Sequence, residues 1–263
     1  MQIRKVQLCN LQSAQNSDVQ EFIASIKNHG FAILNTDGVE EQAAMLRTLH
    51  EAEQMRTFRF PSHSEEPHYT DDQRASFKGL FKWGQTCLRT LLNQLDPDGT
   101  QSAKLHRTLD GAKDMDILFP PHGQGHTPFP EGVDFSGSFF NIFNYDYGLL
   151  NHHKDRYLVT VVTVHQPSSV EGRTALWANS PTLGWVNIDA QMAPGDVAIF
   201  TGEDFEVLSE SLGQRQDAVL HCTRVDPTGE RLPKYEDKPD PSTPPSGNRI
   251  SMAFVLSDAV NED

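Results

Sequence analysis

Asn151-His152-His153-Lys154-Asp155 is the stretch on which the reading turns. It gains its meaning from two later ones, Ala218-Val219-Leu220-His221-Cys222-Thr223-Arg224-Val225 and Arg249-Ile250-Ser251. On extended chain, residues two apart point to the same face. His153 and Asp155 therefore offer an imidazole nitrogen and a carboxylate oxygen side by side. A second imidazole has to come from another strand, and His221 sits in a β-branched, strand-like segment downstream. Two imidazoles and one carboxylate on one face of a metal form the set that holds non-haem Fe(II) and leaves adjacent positions open for oxygen chemistry. His152 competes with His153, but the residue two positions on from it is Lys154, so it lacks a carboxylate partner.

Each piece is cheap alone. About one His-x-Asp is expected by chance in a chain with this many His and Asp residues. Arg74-Ala75-Ser76 repeats Arg-x-Ser, and His63-Ser64-Glu65 is a rival His-x-carboxylate. Both rivals fall in the first half of the chain, on segments that read as helix or loop. A lone strand histidine is more often a hydrogen-bonded structural residue than a ligand. The order of the elements carries the case, not any single motif.

Composition narrows the class. The chain has 263 residues and a formal net charge of −14. That length gives an ample core, and we expect one domain over residues 1–263. The acidic balance argues against a partner that presents a phosphate backbone, so we expect no nucleic acid, and the lack of a spanning apolar run leads us to expect no membrane. The three cysteines, Cys9, Cys87 and Cys222, are far apart and form no framework. A reducing, cytoplasmic setting is expected. The start of the chain shows no apolar leader, and no apolar run is long enough to span a bilayer. Composition does not set the oligomeric state; a monomer is the expectation.

The first half, to about residue 125, reads as mainly helical. Helices are expected over Val19 to His29, Glu40 to Gln54 and Asp72 to Leu95, with a buried strand at Phe31 to Leu34 and a loop from Phe60 to Asp72. The second half, about 126–258, reads as short strands. These are Ser138 to Tyr147, Tyr157 to His165, Ala175 to Trp177, Trp185 to Ile188, Asp196 to Phe200, Ala218 to Val225 and Ile250 to Leu256. Short strands so closely spaced predict a sandwich or jelly roll. Asp226 to Asn248 is Pro-rich and charged, and is expected to be a mobile flap or a surface insert.

From about Phe139 to Leu256 the chain resembles the Fe(II)/2-oxoglutarate-dependent oxygenases of the isopenicillin N synthase-like branch. The resemblance rests on an ordered series: Asn144-Tyr145, His153-Lys154-Asp155 followed by Leu158-Val159-Thr160, Trp185-Val186, Pro194-Gly195-Asp196, Leu208-Ser209, His221, and Arg249-Ile250-Ser251. Asn28-His29-Gly30-Phe31-Ala32-Ile33-Leu34 adds a weaker echo. The resemblance implies an α+β fold with a mainly β core, a double-stranded β-helix on which the helical N-terminal half packs. It implies His153, Asp155 and His221 on iron. Arg249 and Ser251 would hold the distal carboxylate of 2-oxoglutarate, with Asn144 and Tyr145 near the co-substrate. The implied reaction uses Fe(II), 2-oxoglutarate and O2 to hydroxylate, desaturate or cyclise a small molecule, releasing succinate and CO2. Phe139, Asn141 and Phe143 are candidates for the substrate wall, with Arg156 at the rim. Two alternatives stay open: an iron oxidase that does not use 2-oxoglutarate, and a non-catalytic jelly-roll binding protein.

Overall fold

The strand β6 (Val159–Val164) shows how the molecule is layered. Every one of its residues is buried, because it has a core on each side. Val159 and Val161 face a helix-covered core, and Val162 and Val164 face a second core between two sheets. The same alternation runs through β2 (Phe31–Asn35), β9 (Val197–Thr201) and β11 (Ile250–Leu256). A strand covered on both faces reads as a near-continuous apolar run, as these do.

The computed structural model describes residues 3–12, 17–36, 39–50, 56–59, 69–111, 119, 138–144, 150–164, 174–229 and 249–256. One sheet has seven strands in the order β1-β2-β9-β6-β11-β4-β3, where β1 is Val6–Gln7, β3 is Arg56–Arg59 and β4 is Phe139–Asn144. The other has four, β5-β10-β7-β8: β5 is Leu150–His153, β10 His221–Arg224, β7 Ala175–Ser180 and β8 Gly184–Asn187. Every described pairing is antiparallel except β1 with β2.

Helix α1 is Ser17–His29, α2 is Val39–His50, α3 is Asp71–Leu95 and α4 is Ala103–Gly111. The long α3 begins at a capping box in which Thr70 and Gln73 satisfy each other's backbone donors. It lies on the outer face of the large sheet. Phe77 stacks on Phe140 at 4.3 Å and Phe140 on Phe254 at 4.5 Å between ring centroids. Gly84 lets the helix approach, since a Cβ there would meet Phe254 and Val161 at 3.3 Å.

The structure corrects several sequence expectations. Helix α4, strand β3 and a further helix, α5 (Glu203–Ser211), were not anticipated. Strand β5 runs into the His153-Lys154-Asp155 motif, where no separate strand was expected. The echo at Asn28-His29-Gly30 is a joint. His29 Nδ1 lies 3.1 Å from Ser180 Oγ and 2.9 Å from Thr182 Oγ1, tying the end of α1 to the turn after β7. Gly30 follows at φ +78°, and a Cβ there would lie 2.8 Å from that of Val219. Of the Pro-rich segment Asp226 to Asn248, the residues beyond Gly229 lie outside the described part of the structure.

Candidate metal centre

His153 ends β5 and His221 opens β10, and the two are direct partners in the antiparallel register. Asp155 follows β5 after one residue. Its Oδ1 lies 3.4 Å from His153 Nε2 and 3.6 Å from His221 Nε2. One donor atom from each residue falls within 4.8 Å of the others. Among the described residues this is the one such cluster of His, Cys, Asp and Glu.

Each donor is aimed by a second contact. His153 Nδ1 lies 2.8 Å from the Asn151 carbonyl, and His221 Nδ1 lies 3.2 Å from the Val219 carbonyl. A carbonyl only accepts, so each Nδ1 carries the proton and each Nε2 lone pair is left for the centre. The Thr160 hydroxyl donates to Asp155 Oδ2 at 2.6 Å, leaving Oδ1 towards the histidines. His221 is further fixed by Phe200, whose ring stacks on it at 5.2 Å.

The three groups are electrostatically coupled, and the coupling does not treat the two histidines alike. Burial alone would raise the Asp155 carboxyl, but the His153 hydrogen bond, the His221 charge and the Thr160 hydroxyl hold it down at about 2. Burial lowers His221 below the usual imidazole value and so favours its neutral form. For His153 burial also works downward, yet the bond and charge of Asp155 prevail and the net shift is upward.

Helix α5 braces both segments that carry the cluster. Its first amides, Glu203 N and Asp204 N, donate to the carbonyls of Asp155 at 2.7 Å and Arg156 at 3.0 Å. These amides would otherwise be orphan donors of the helix start. Gly202 allows this docking, because a Cβ there would sit 2.0 Å from the Tyr157 carbonyl oxygen. Glu206 accepts from Lys154 Nζ at 3.3 Å and from Ala218 N at 3.0 Å, and also pairs with Arg215. It thus links the residue between His153 and Asp155 to the segment that leads into His221. None of this was read from the sequence; the Leu208-Ser209 pair was its only trace there.

The cluster opens into a cavity of about 180 Å³ between the sheets. Phe139, Asn141 and Phe143, alternate residues of β4, line one wall, and Val162, Leu176 and Phe200 line others. Asn141 Oδ1 is buried with no hydrogen-bond partner among the described residues. Arg249 and Ser251 also line the cavity. Arg249 donates from Nε to Asp189 Oδ2 at 2.6 Å, from Nη2 to Asp189 Oδ1 at 2.9 Å and from Nη1 to Ser251 Oγ at 2.8 Å. Asp189 was not singled out in the sequence. His152 turns elsewhere, with Nε2 2.7 Å from the Pro227 carbonyl and its ring 5.2 Å from that of Trp185. Arg156 is exposed and is not among the cavity residues. Asn144 is the last residue of β4, but its side chain and all of Tyr145 lie outside the described part of the structure.

No protein-family profile and no curated protein matches the sequence, so the comparison rests on structure. JOX2 in complex with 2OG, Fe and JA superposes with a TM-score of 0.61 at 13% identity, over 99% of this chain and 76% of that one. A candidate 2OG-Fe(II) oxygenase family protein from Caulobacter crescentus gives 0.55 at 14% identity, over 98% and 88%. The fold is that of the Fe(II)/2-oxoglutarate oxygenases. A Neurospora crassa protein in complex with alpha-KG and 5-formyluracil has this fold too, with a TM-score of 0.54 at 9% identity over 97% of this chain and 84% of that one. At such identities the likeness is one of fold. The site in this chain has to be argued from its own residues. No described helix is long and apolar enough to cross a membrane.

Proposed function

We propose that the chain is an Fe(II)- and 2-oxoglutarate-dependent oxygenase acting on a small molecule, and that residues 1–263 form one domain whose two sheets are the walls of a double-stranded β-helix. The observation that carries this reading is the convergence of His153 Nε2, His221 Nε2 and Asp155 Oδ1, each aimed by its own second contact. Two neutral imidazoles and one carboxylate suit Fe(II). The donors present fit the metal that the fold implies.

In this reading His153, Asp155 and His221 hold the iron. Arg249 and Ser251 take the distal carboxylate of 2-oxoglutarate through a guanidinium and a hydroxyl. Iron, when bound, supplies the oxygen-activating chemistry, and the protein supplies aim and dryness. Thr160 keeps one Asp155 oxygen occupied, so a single oxygen is offered to the metal. The apolar walls from Phe139, Phe143, Leu176 and Phe200 exclude water and favour an apolar substrate. Asn141 adds one polar contact. The small organic ligands in the related folds, JA and 5-formyluracil, support a substrate of that size. The formal charge of −14 disfavours a nucleic-acid substrate.

A second reading is an iron oxidase without 2-oxoglutarate. It draws on Asp189, which already neutralises Arg249. Oxygen uptake by the Fe(II)-loaded protein with and without 2-oxoglutarate separates the two. Uptake that requires 2-oxoglutarate and yields succinate supports the first; uptake indifferent to it supports the second.

A further inference from the structure

Asp189 is the buried partner of the cavity-lining Arg249, and the proposed chemistry does not use it. It lies in the short 3-10 turn after β8, and is 2% exposed. Its carboxylate grips Arg249 through the Nε–Nη2 edge. Oδ2 also accepts from Leu176 N at 3.2 Å. One side chain therefore joins β7 of the small sheet to the start of β11 in the large sheet, at the end of the cavity where Arg249 and Ser251 lie. A guanidinium has five N–H donors in a rigid plane, so gripping one edge fixes the direction of all the others. Arg249 Nη1 donates in turn to Ser251 Oγ at 2.8 Å. A hydroxyl that accepts from an arginine must turn its own proton away from that arginine. Carboxylate, guanidinium and hydroxyl thus form a chain in which each member sets the orientation of the next.

We propose that Asp189 is a positioning residue for co-substrate recognition. It fixes the plane of Arg249, and through it the Ser251 hydroxyl, so that the pair reads the distal carboxylate of a 2-oxo dicarboxylate. This rests on the functional reading given above. Asp189 holds the Nε–Nη2 edge, so the ligand meets the guanidinium away from that edge, on the side of Nη1 and Ser251. The recognition is geometric, since the ion pair itself carries no net charge. A neutral replacement of the same shape loses the two-point grip and lets the guanidinium plane rotate.

The test uses Mn(II)-loaded protein and two probes, N-oxalylglycine with a distal carboxylate and 2-oxovalerate without one. Dissociation constants are measured by calorimetry for the wild type, Asp189→Asn, Asp189→Glu, Arg249→Gln and the double variant Asp189→Asn/Arg249→Gln. We expect Asp189→Asn to weaken N-oxalylglycine by about tenfold or more, with Mn(II) and 2-oxovalerate affinities unchanged. Asp189→Glu, which keeps the charge and the two-point grip at a shifted position, recovers part of the loss. The double variant is no weaker than Arg249→Gln alone, because Asp189 acts only through Arg249. If Asp189→Asn does not fold, Asp189→Glu carries the test through a smaller loss confined to N-oxalylglycine. Affinity for N-oxalylglycine within twofold of wild type, tighter binding, equal loss for both probes, or additive losses in the double variant would each overturn the proposal. A wild type that binds both probes equally removes the co-substrate reading itself, and this inference with it.

Discussion

His153 and His221 face each other across the β5–β10 ladder, with ring centroids 4.2 Å apart. They are not equivalent. The His221 side chain is 7% exposed and the His153 side chain 33%. Replacing either by Ala, or Asp155 by Ala, is expected to abolish Fe(II) or Mn(II) retention. Of the two histidines, only His221→Ala leaves a hole in the core beside Phe200, so it should lose about 2 kcal/mol or more of stability and His153→Ala less. Metal content and denaturant midpoints on the same preparations check both statements. A variant that keeps one metal per chain removes its residue from the ligand set.

Gly202 is a requirement of space, not of backbone conformation. A methyl group at 2.0 Å from the Tyr157 carbonyl cannot be accommodated, so Gly202→Ala must push the start of α5 away from the Asp155 loop. Asp155 is held from its backbone by that helix. Misplacing a ligand in this way should weaken metal binding by about 10–100-fold, as losing a supporting contact does elsewhere. Titration with Mn(II) reads the effect directly, and unchanged affinity would show that α5 does not set the ligand.

Thr160 offers a subtler change. Thr160→Val keeps the shape and deletes the 2.6 Å hydrogen bond to Asp155 Oδ2. Losing a bond to a buried charged group costs about 1.5–3 kcal/mol. The freed oxygen also leaves Asp155 less fixed. We expect weaker Mn(II) binding in Thr160→Val and near-normal binding in Thr160→Ser. Equal behaviour of the two variants would mean that the hydroxyl does not orient the carboxylate.

His29 gives a pH test of the joint between α1 and the small sheet. Burial lowers its pKa below 6.5, against the opposing pull of Glu21 and the Asn28 backbone. A base with a lowered folded-state pKa takes up its proton more readily when unfolded. Its contribution is therefore intact above about pH 6.5 and is lost as the pH falls from there towards the lowered value. His29→Asn should flatten that part of the stability curve, seen as a smaller fall in midpoint between neutral and mildly acidic pH. The effect should be modest, because the ring is only partly buried. A variant curve parallel to that of the wild type contradicts the assignment.

What the sequence made legible follows from where the information lies. The meeting of His153, Asp155 and His221 could be anticipated because His153 and Asp155 are a local pair, and the ordered series of motifs around them pointed to the distant His221. The alternation of β2, β6, β9 and β11 between two cores appeared in the sequence only as unbroken apolar runs. Helix α5 was missed because its charged sequence buries only Phe205 and Ser209. Its docking depends on the bare space at Gly202, which nothing near Gly202 announces. Strand β3 sits at the sheet edge and owes its form to pairing with β4. Asp189 was invisible for a related reason: its partner Arg249 is 60 residues away. Asn144 and Tyr145 were chosen from the resemblance alone, whereas the alternation along β4 brings Asn141 to the cavity wall.

The most direct test of the account is a calorimetric titration of 2-oxoglutarate, under anaerobic conditions, into metal-free protein, Fe(II)-loaded protein and Asp155→Ala treated with Fe(II). The account predicts one binding event per chain in the loaded wild type, and little or none in the other two, because the co-substrate needs the metal that His153, Asp155 and His221 hold together. No binding to the loaded wild type, or equal binding to all three, would contradict it.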